Sequence, residues 1–489
     1  MLKSFFKYVL LTIGILILVV LTKTFLTKSR QVQVETVPPA PVDSNATKHL
    51  VTAIQIPTIS YDQENEIDRN AFLKFIAFVK NTYPNIAGIL NFQIINQYSL
   101  LIEWNGKNDS LKPIILMGHY DVVPIEEASS KQWEYPAFSG TIHNGYIHGR
   151  GTLDDKVAVI SILESVERLL KKGFVPDRSI IMAFGHDEEL GGNNGAKMIA
   201  SNLRNRKINA EFILDEGLVI TNGIVPGLKA PAALIGIAEK GYATAELIAK
   251  VDGGHSSMPK KENAIVVLAE ALVKIKNNPM PAKITEPVQY FINDIGPELS
   301  FVNKMAFSNQ WLFEKLILNK YQATNTGNAL VSSTSAATLL QSGMKENVIP
   351  MIAKATINFR LLPGDTDSSV YQYLKSTIND ERITIKLSKD FNLATKISPV
   401  NNIAYSNISK TIKQVFNNTI VAPSLMIAAT DQKHYDDISE NRYRFLPVQL
   451  DANTLKGIHG VNEKIGVENY HAIIQFYEQL IQNSCSNSN

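Results

Sequence analysis

Cysteine is almost missing from this 489-residue chain: the single thiol, Cys485, reads as part of a polar C-terminal tail. One thiol excludes an intrachain disulfide and a thiolate metal cluster, so any metal site must be built from histidine and carboxylates. Charge imbalance is missing too. Lys and Arg number 48 against 46 Asp and Glu, a net +2, and no long block of like charge occurs, so no nucleic-acid partner is expected. The charged fraction of 19% beside 45% hydrophobic residues excludes wholesale disorder. HExxH, GxSxG and P-loop patterns are absent, which leaves helix-borne zincin, serine-elbow and nucleotide-cradle chemistry without support. The length exceeds the roughly 100–200 residues of one domain, so two or three folding units are expected.

What is present begins with an apolar run. Tyr8 to Thr22 carries no charge and is flanked by Lys3, Lys7, Lys23, Lys28 and Arg30. Fifteen residues are short of the ~20 that a bilayer span needs, but Phe5–Leu26 suffices if Lys7 and Lys23 snorkel. A cleaved signal peptide is the rival; no small-x-small site follows the run, which favours an uncleaved anchor. Residues 1–30 are read as a single-pass membrane anchor, with the rest outside the cytoplasm in a periplasmic, lumenal or vacuolar space. Residues 31–47 hold Pro38, Pro39 and Pro41 and read as a linker.

Beyond Lys48, short apolar runs alternate with helical patterns, the signature of an α/β sheet with crossover helices. Residues 113–117, 180–184 and 211–214 read as buried strands. Residues 155–172 read as a helix, with Val157, Ile160, Leu163, Val166 and Leu170 on one stripe. A smaller α+β unit opens near Glu239, with strands at 242–250, 356–362 and 383–387 and helices at 263–276 and 367–378. The expected organisation is a first unit over 48–238 that resumes over 394–489, interrupted by a second over 239–393. An insertion at about 281–335 has no assignable pattern.

Acids or histidine follow each strand of the first unit: His119 and Asp121, then Asp187, Glu188 and Glu189, then Asp215 and Glu216. Ligands of open α/β sheets gather at the carboxyl ends of strands. In extended chain, residues i and i+2 face the same way, so Asp121 can accept the spare ring N–H of His119 and fix its tautomer. Adjacent carboxylates such as Glu188 and Glu189 repel when ionised unless water or a cation is near. Asp155 suits the first turn of the following helix, which leaves Asp154 free as a ligand.

The ordered set GHYDVVP (118–124), GRGTLDDK (149–156), GHDEELGG (185–192), LDEG (214–217), GGHSSMP (253–259), NFRLLPGD (358–365) and IHGVNE (458–463) resembles the di-zinc metallopeptidase family of carboxypeptidase S and aminoacylase, near its N-fatty-acyl-amino-acid synthase/hydrolase branch. The resemblance implies a zinc-exopeptidase catalytic domain, a mixed sheet flanked by helices, interrupted by a lid that also serves dimerisation. It implies two zinc ions per chain, one held by His119, Asp154 and Asp215, the other by Asp154, Glu189 and His459. Glu188 would be the general base, Asp121 the support of His119, and His255 an oxyanion donor from the lid. Asn347 and Arg360 would grip a substrate carboxylate. His148 departs from the family, which usually has tryptophan there.

The expected activity is hydrolysis of an amide bond next to a free carboxylate, as in carboxypeptidase action on short peptides. Hydrolysis or synthesis of N-acyl amino acids is the alternative, with the segment around Phe301–Leu318 sheltering an acyl chain. A non-catalytic, membrane-tethered binding protein on the same scaffold is the alternative of another class.

Overall fold

The computed structural model describes residues 2–61, 67–389 and 391–486. An eight-stranded mixed sheet is ordered β1 (Asn91–Ile95), β2 (Ser99–Trp104), β6 (Ile180–Gly185), β3 (Ile114–His119), β7 (Phe212–Thr221), β16 (Arg442–Leu450), β8 (Ala232–Glu239), β15 (Ile420–Met426). The centre, from β6 through β3 and β7 to β16, is parallel. The three strands expected in this unit are present.

Side-chain alternation explains why both faces of this sheet are covered. In β3, Ile114 and Leu116 join the main core while Ile115 and Met117 join a second cluster; Ile180, Met182 and Phe184 of β6 divide from Ile181 and Ala183 in the same way. Strands buried on both faces read as unbroken apolar runs, as IILM and IIMAF do. Helices α2 (Ser44–Ile54), α3 (Arg69–Thr82), α4 (Pro84–Ile89), α5 (Lys156–Lys171), α13 (Ile403–Val415) and α14 (Val467–Cys485) supply residues to the main core. The Ser165 hydroxyl of α5 donates to the Ile474 carbonyl of α14 at 2.7 Å. Helix α6 (Ala196–Asn205) covers the other face through Ile199, Ala200 and Leu203. Cys485 is the buried last residue of α14 rather than part of a polar tail.

A four-stranded antiparallel sheet is ordered β11 (Thr334–Ser342), β13 (Ile352–Leu361), β9 (Gly241–Lys250), β14 (Ile383–Leu387). Ala243, Ala245, Leu247 and Ala249 of β9 face a separate core under α7 (Ala264–Asn277) and α12 (Asp367–Ile378). Strand β11 is an edge exposed along almost its whole length. Two small pairings complete the strands: β10 (Gly254–His255) with β12 (Val348–Ile349), and β17 (Lys464–Gly466) with β5 (Tyr146–His148) and β4 (Thr141–His143).

The insertion without a legible pattern is helical: α8 (Glu286–Ile295), α9 (Phe301–Ser308), α10 (Gln310–Gln322) and α11 (Asn325–Val331). Val288, Ile292, Ile317 and Val331 form its small core. Helix α1 (Leu2–Leu26) is long and apolar enough to cross a membrane, with a mean hydropathy of 2.5 over an 18-residue stretch within Lys3–Leu26. The segment after it runs against the body. The Gln31 side chain pairs with Val421, donating to its carbonyl at 2.9 Å and accepting its N–H at 2.8 Å, and Val37 N donates to the Gln414 carbonyl. Helix α2 starts at Ser44, inside the expected linker, because the Asp43 carboxylate caps it by accepting from the N–H groups of Asn45 and Ala46.

Candidate metal centre

His119 ends β3 with its ring buried. Its Nδ1 lies 3.1 Å from the Asp121 carbonyl and 3.2 Å from Asp121 Oδ1, so the spare ring nitrogen has its expected orienter and Nε2 is turned toward the cluster. Asp121 does more. Its carboxylate accepts from Ser60 Oγ at 2.7 Å and from the backbone N–H groups of Glu188 and Glu189, both at 3.2 Å. One buried acid thus fixes both the imidazole and the Glu188–Glu189 turn that follows β6.

Asp154 stands between the two histidines: Oδ1 is 3.0 Å from His119 Nε2 and Oδ2 is 3.0 Å from His459 Nε2. His459 Nε2 is also 3.3 Å from Glu189 Oε2. The loop carrying Asp154 is gathered onto Glu463. The Oε1 atom of Glu463 accepts from the N–H groups of Gly151 (3.0 Å), Leu153 (2.7 Å) and Asp154 (3.3 Å), and its Oε2 accepts from Arg150 Nη1 (2.6 Å). Asp155, expected as a first-turn helix residue, makes no side-chain cap; its Oδ2 accepts from the His119 N–H at 3.2 Å.

Among the described residues, three sets of donors lie close enough to hold an ion: His119, Asp154 and Glu216; His119, Glu188 and Glu189; Asp154, Glu189 and His459. The third set joins the residues expected for one of the ions. The first differs from expectation at one position, where Glu216 stands in place of Asp215. Strand alternation sets these two neighbouring acids apart. Phe212 and Leu214 share one face of β7 and Ile213 the other, so Asp215 and Glu216 must diverge. Glu216 Oε1 is 3.7 Å from His119 Nε2. Asp215 turns toward Thr430, with one oxygen accepting from Glu216 N at 3.0 Å.

The cluster concentrates acidic groups in a buried space. Burial, reinforced by neighbouring acids, pushes the carboxyls of Glu188 and Glu216 well above the usual range. Burial acts on Asp154 in the same sense, but its hydrogen bonds to His119 and His459 outweigh it and hold that group low. Burial opposes charging of His119, while bonds to Asp121 and Asp154 raise it well above an ordinary imidazole; the Asp154 bond also lifts His459 to about 10. Buried Glu189 Oε1 has no hydrogen-bond partner. An all-oxygen-and-imidazole donor set with an orphaned carboxylate oxygen fits borderline or hard divalent cations. His119, Asp154, Glu188, Glu189, Glu216 and His459 are the residues that fit them.

Three expected residues lie elsewhere in the chain's architecture. His255 is exposed on β10, its Nδ1 accepting from Ser257 N at 3.1 Å. Asn347 sits beside it, its carbonyl accepting from Ser256 N at 3.2 Å. The Arg360 guanidinium lies over the Tyr242 ring at 5.0 Å. Among the described residues, no hydrogen bond or ion pair joins these three to the carboxylate cluster. The other histidines have separate partners: His49 with Glu164, His186 with Ser99, His471 with Thr47 and His434 with the Gly191 carbonyl. His148 packs against Tyr135, with ring centroids 4.7 Å apart.

A cleft of about 330 Å³ opens from the cluster. Asp154, Glu188, Glu189, Glu216 and His459 line its polar end, and Leu218, Met426, Leu446, Val448, Leu450 and Ile458 its apolar wall. A second hollow of about 410 Å³, lined by Asp43, Arg168 and Glu478 among others, includes none of these residues.

Residues 115–483 match the family described as Peptidase family M20/M25/M40. The chain is 43% identical over 485 residues to a probable carboxypeptidase S-like protein of Dictyostelium discoideum, covering 97% of this chain and 93% of that one. It is 38% identical over 436 residues to an N-fatty-acyl-amino acid synthase/hydrolase of Xenopus tropicalis, covering 88% and 84%. Its fold is similar to that of an M20 family metallo-carboxypeptidase from Sulfolobus solfataricus, with a TM-score of 0.61 at 18% identity over 90% of this chain and 99% of the other. With its carboxylate and imidazole cluster at the carboxyl ends of β3 and β6 and within β7, the chain belongs to peptidase family M20/M25/M40 and is a metal-dependent hydrolase.

Proposed function

We propose that this chain is a membrane-anchored, di-zinc exopeptidase that cleaves an amide bond next to a free carboxylate. The observation that carries the reading is the sharing of Asp154 between His119 and His459, 3.0 Å from each, because one carboxylate serving two donor sets is what a pair of adjacent ions requires. His119, Asp154 and Glu216 would hold one zinc; Asp154, Glu189 and His459 would hold the other. Bound there, the metal supplies Lewis-acid polarisation of the scissile carbonyl and an acidified water.

The chain's own part is proton handling and positioning. Glu188 is buried, and burial raises its carboxyl well above the usual range, so its carboxylate is a stronger base than an exposed one. It takes the proton from the attacking water and returns it to the leaving amine. Its backbone N–H, tied to Asp121, keeps it beside the donor set while it does so. The unit built on the four-stranded sheet acts as a lid in this reading. Closure over the cleft brings His255 to the oxyanion and Asn347 and Arg360 to the substrate carboxylate. The bare edge of β11 is the surface on which two copies would pair. Helix α1 spans the membrane, and the catalytic part lies outside the cytoplasm.

The apolar wall of the cleft favours a second reading, in which the group on the far side of the amide is an acyl chain. This would make the chain an N-acyl-amino-acid hydrolase, or a synthase when amine and acid are abundant. Turnover of N-blocked dipeptides and of short- and long-chain N-acyl amino acids by the full chain separates the readings. Both require two metal ions per chain, and loss of turnover on chelation and in Asp154→Ala. Full activity of the metal-free chain would end both and leave a different chemistry, whereas no turnover of any of these substrates by the metal-loaded chain would leave the non-catalytic binding role.

A further inference from the structure

The corner between α9 and α10 is tied to α1, and its outer side is apolar. Asn309, fully buried at this corner, places Nδ2 3.1 Å from the Val20 carbonyl, 3.1 Å from Thr24 Oγ1 and 2.9 Å from the Met305 carbonyl. Phe25 and Phe301 meet with ring centroids 5.6 Å apart. Val20 and Thr24 are the buried residues near the end of α1, whereas the helix before them is exposed. Thr24 lies two residues before the end of the span Phe5–Leu26, roughly 3 Å along the axis at ~1.5 Å per residue. In a chain whose α1 spans a bilayer, this contact therefore lies at the level where hydrocarbon gives way to headgroups.

The surface presented there suits that level. Trp311, Leu312, Lys315 and Leu316 stand at positions i, i+1, i+4 and i+5 of α10 and form one exposed arc, with Phe301 and Val302 exposed on α9. Glu314 lies off this arc. Tryptophan and lysine beside aliphatic residues are the composition of helices lying at a membrane interface. The body cannot swing far from this plane, since Gln31 is bonded to Val421 only five residues after α1 ends.

We infer that the α9–α10 corner is a second, peripheral membrane contact, with Phe301, Val302, Trp311, Leu312 and Leu316 seated in the bilayer surface beside the anchor. This rests on the reading of α1 as a membrane span. Its occupant is lipid, and its consequence is that the globule is held against the membrane rather than tethered at a distance.

The full chain, reconstituted in phosphatidylcholine–phosphatidylserine vesicles, tests this with lipids brominated near the headgroup end of their chains. The difference in emission between the parent and Trp311→Phe isolates Trp311, since Trp104 and Trp133 are common to both and Trp311 is exposed. Expected is loss of most of the Trp311 emission in brominated vesicles, and recovery of that emission in Leu312→Asp/Leu316→Asp read against the same variant carrying Trp311→Phe, with the chain still floating with the vesicles. A chain that floats with Trp311 unquenched overturns the inference and leaves the anchor standing. A chain that does not float removes the anchor and this inference with it.

Discussion

Exchange of the two acids of the LDEG segment, one at a time, is the sharpest probe of the centre, because neighbouring carboxylates in β7 are assigned opposite fates. Glu216→Gln keeps the size of the side chain but replaces an anionic oxygen 3.7 Å from His119 Nε2 by a neutral amide. Loss of a partner around a ligand alone costs 10–100-fold in metal affinity; loss of a donor from the set should exceed that, a weakening of about 100-fold or more, or ~2.7 kcal/mol. Asp215→Asn acts on a group that burial already pushes up to about 6. Its ionised form is therefore weakly favoured, and a neutral isostere preserves the oxygen that accepts from Glu216 N. The cost is confined to stability, about 1–3 kcal/mol for imperfectly satisfied buried polar atoms. Elemental analysis after dialysis, together with turnover, reads both variants. Glu216→Gln should lose metal and activity, and Asp215→Asn should keep both while melting earlier. The reverse pattern, with Asp215→Asn stripped of metal and Glu216→Gln indifferent, would refute the assignment of Glu216 by its distance to His119 and restore Asp215 as the ligand.

Other outcomes follow from the same geometry. Glu188→Gln should lower kcat by about 10²–10⁴ while metal content stays at the parent level, separating proton transfer from ion binding; unchanged turnover would remove Glu188 as the base. Glu463→Gln sets an amide against Arg150 in a buried pair and should destabilise the fold by about 3–5 kcal/mol, seen as an earlier thermal transition with parallel loss of metal; a parental melting curve would show that the loop at 150–154 is held by something else. Buried Lys240 donates to the carbonyls of Ala329 and Ser332, and burial lowers its ammonium to about 8 from 10.5. The unfolded chain then binds more protons between those values, so this group makes stability rise with pH from about 8 to 10.5. Lys240→Met should flatten that rise, and an unaltered slope in denaturant titrations would count against the assignment.

Much of the site was legible because it lies at strand ends, where apolar run and polar motif adjoin. His119, Asp121, Glu188 and Glu189 follow runs whose burial on both faces leaves no ambiguity about where the strand stops. LDEG was harder, since these acids lie within a ten-residue strand, and parity sets them on opposite faces without saying which of them reaches His119 Nε2. The sequence also hid Glu463, which acts on a loop more than 300 residues earlier through backbone N–H groups that no side-chain pattern records. Residues 281–335 resisted assignment because their four helices are short and divide their apolar residues among a small core, the main sheet and α1. The positions of His255, Asn347 and Arg360 depend on how one unit sits over another, a property of the assembled chain that motif order cannot carry.

The dependence of Asp154 on Glu463 and His459 has a temporal side. Both partners follow Asp154 by about 300 residues, and so leave the ribosome well after it. Until they emerge, the loop at 150–154 lacks the acceptor that gathers its backbone, and one donor set has no imidazole. A growing chain would therefore carry an inert precursor of the hydrolytic centre until residues 459–463 have emerged.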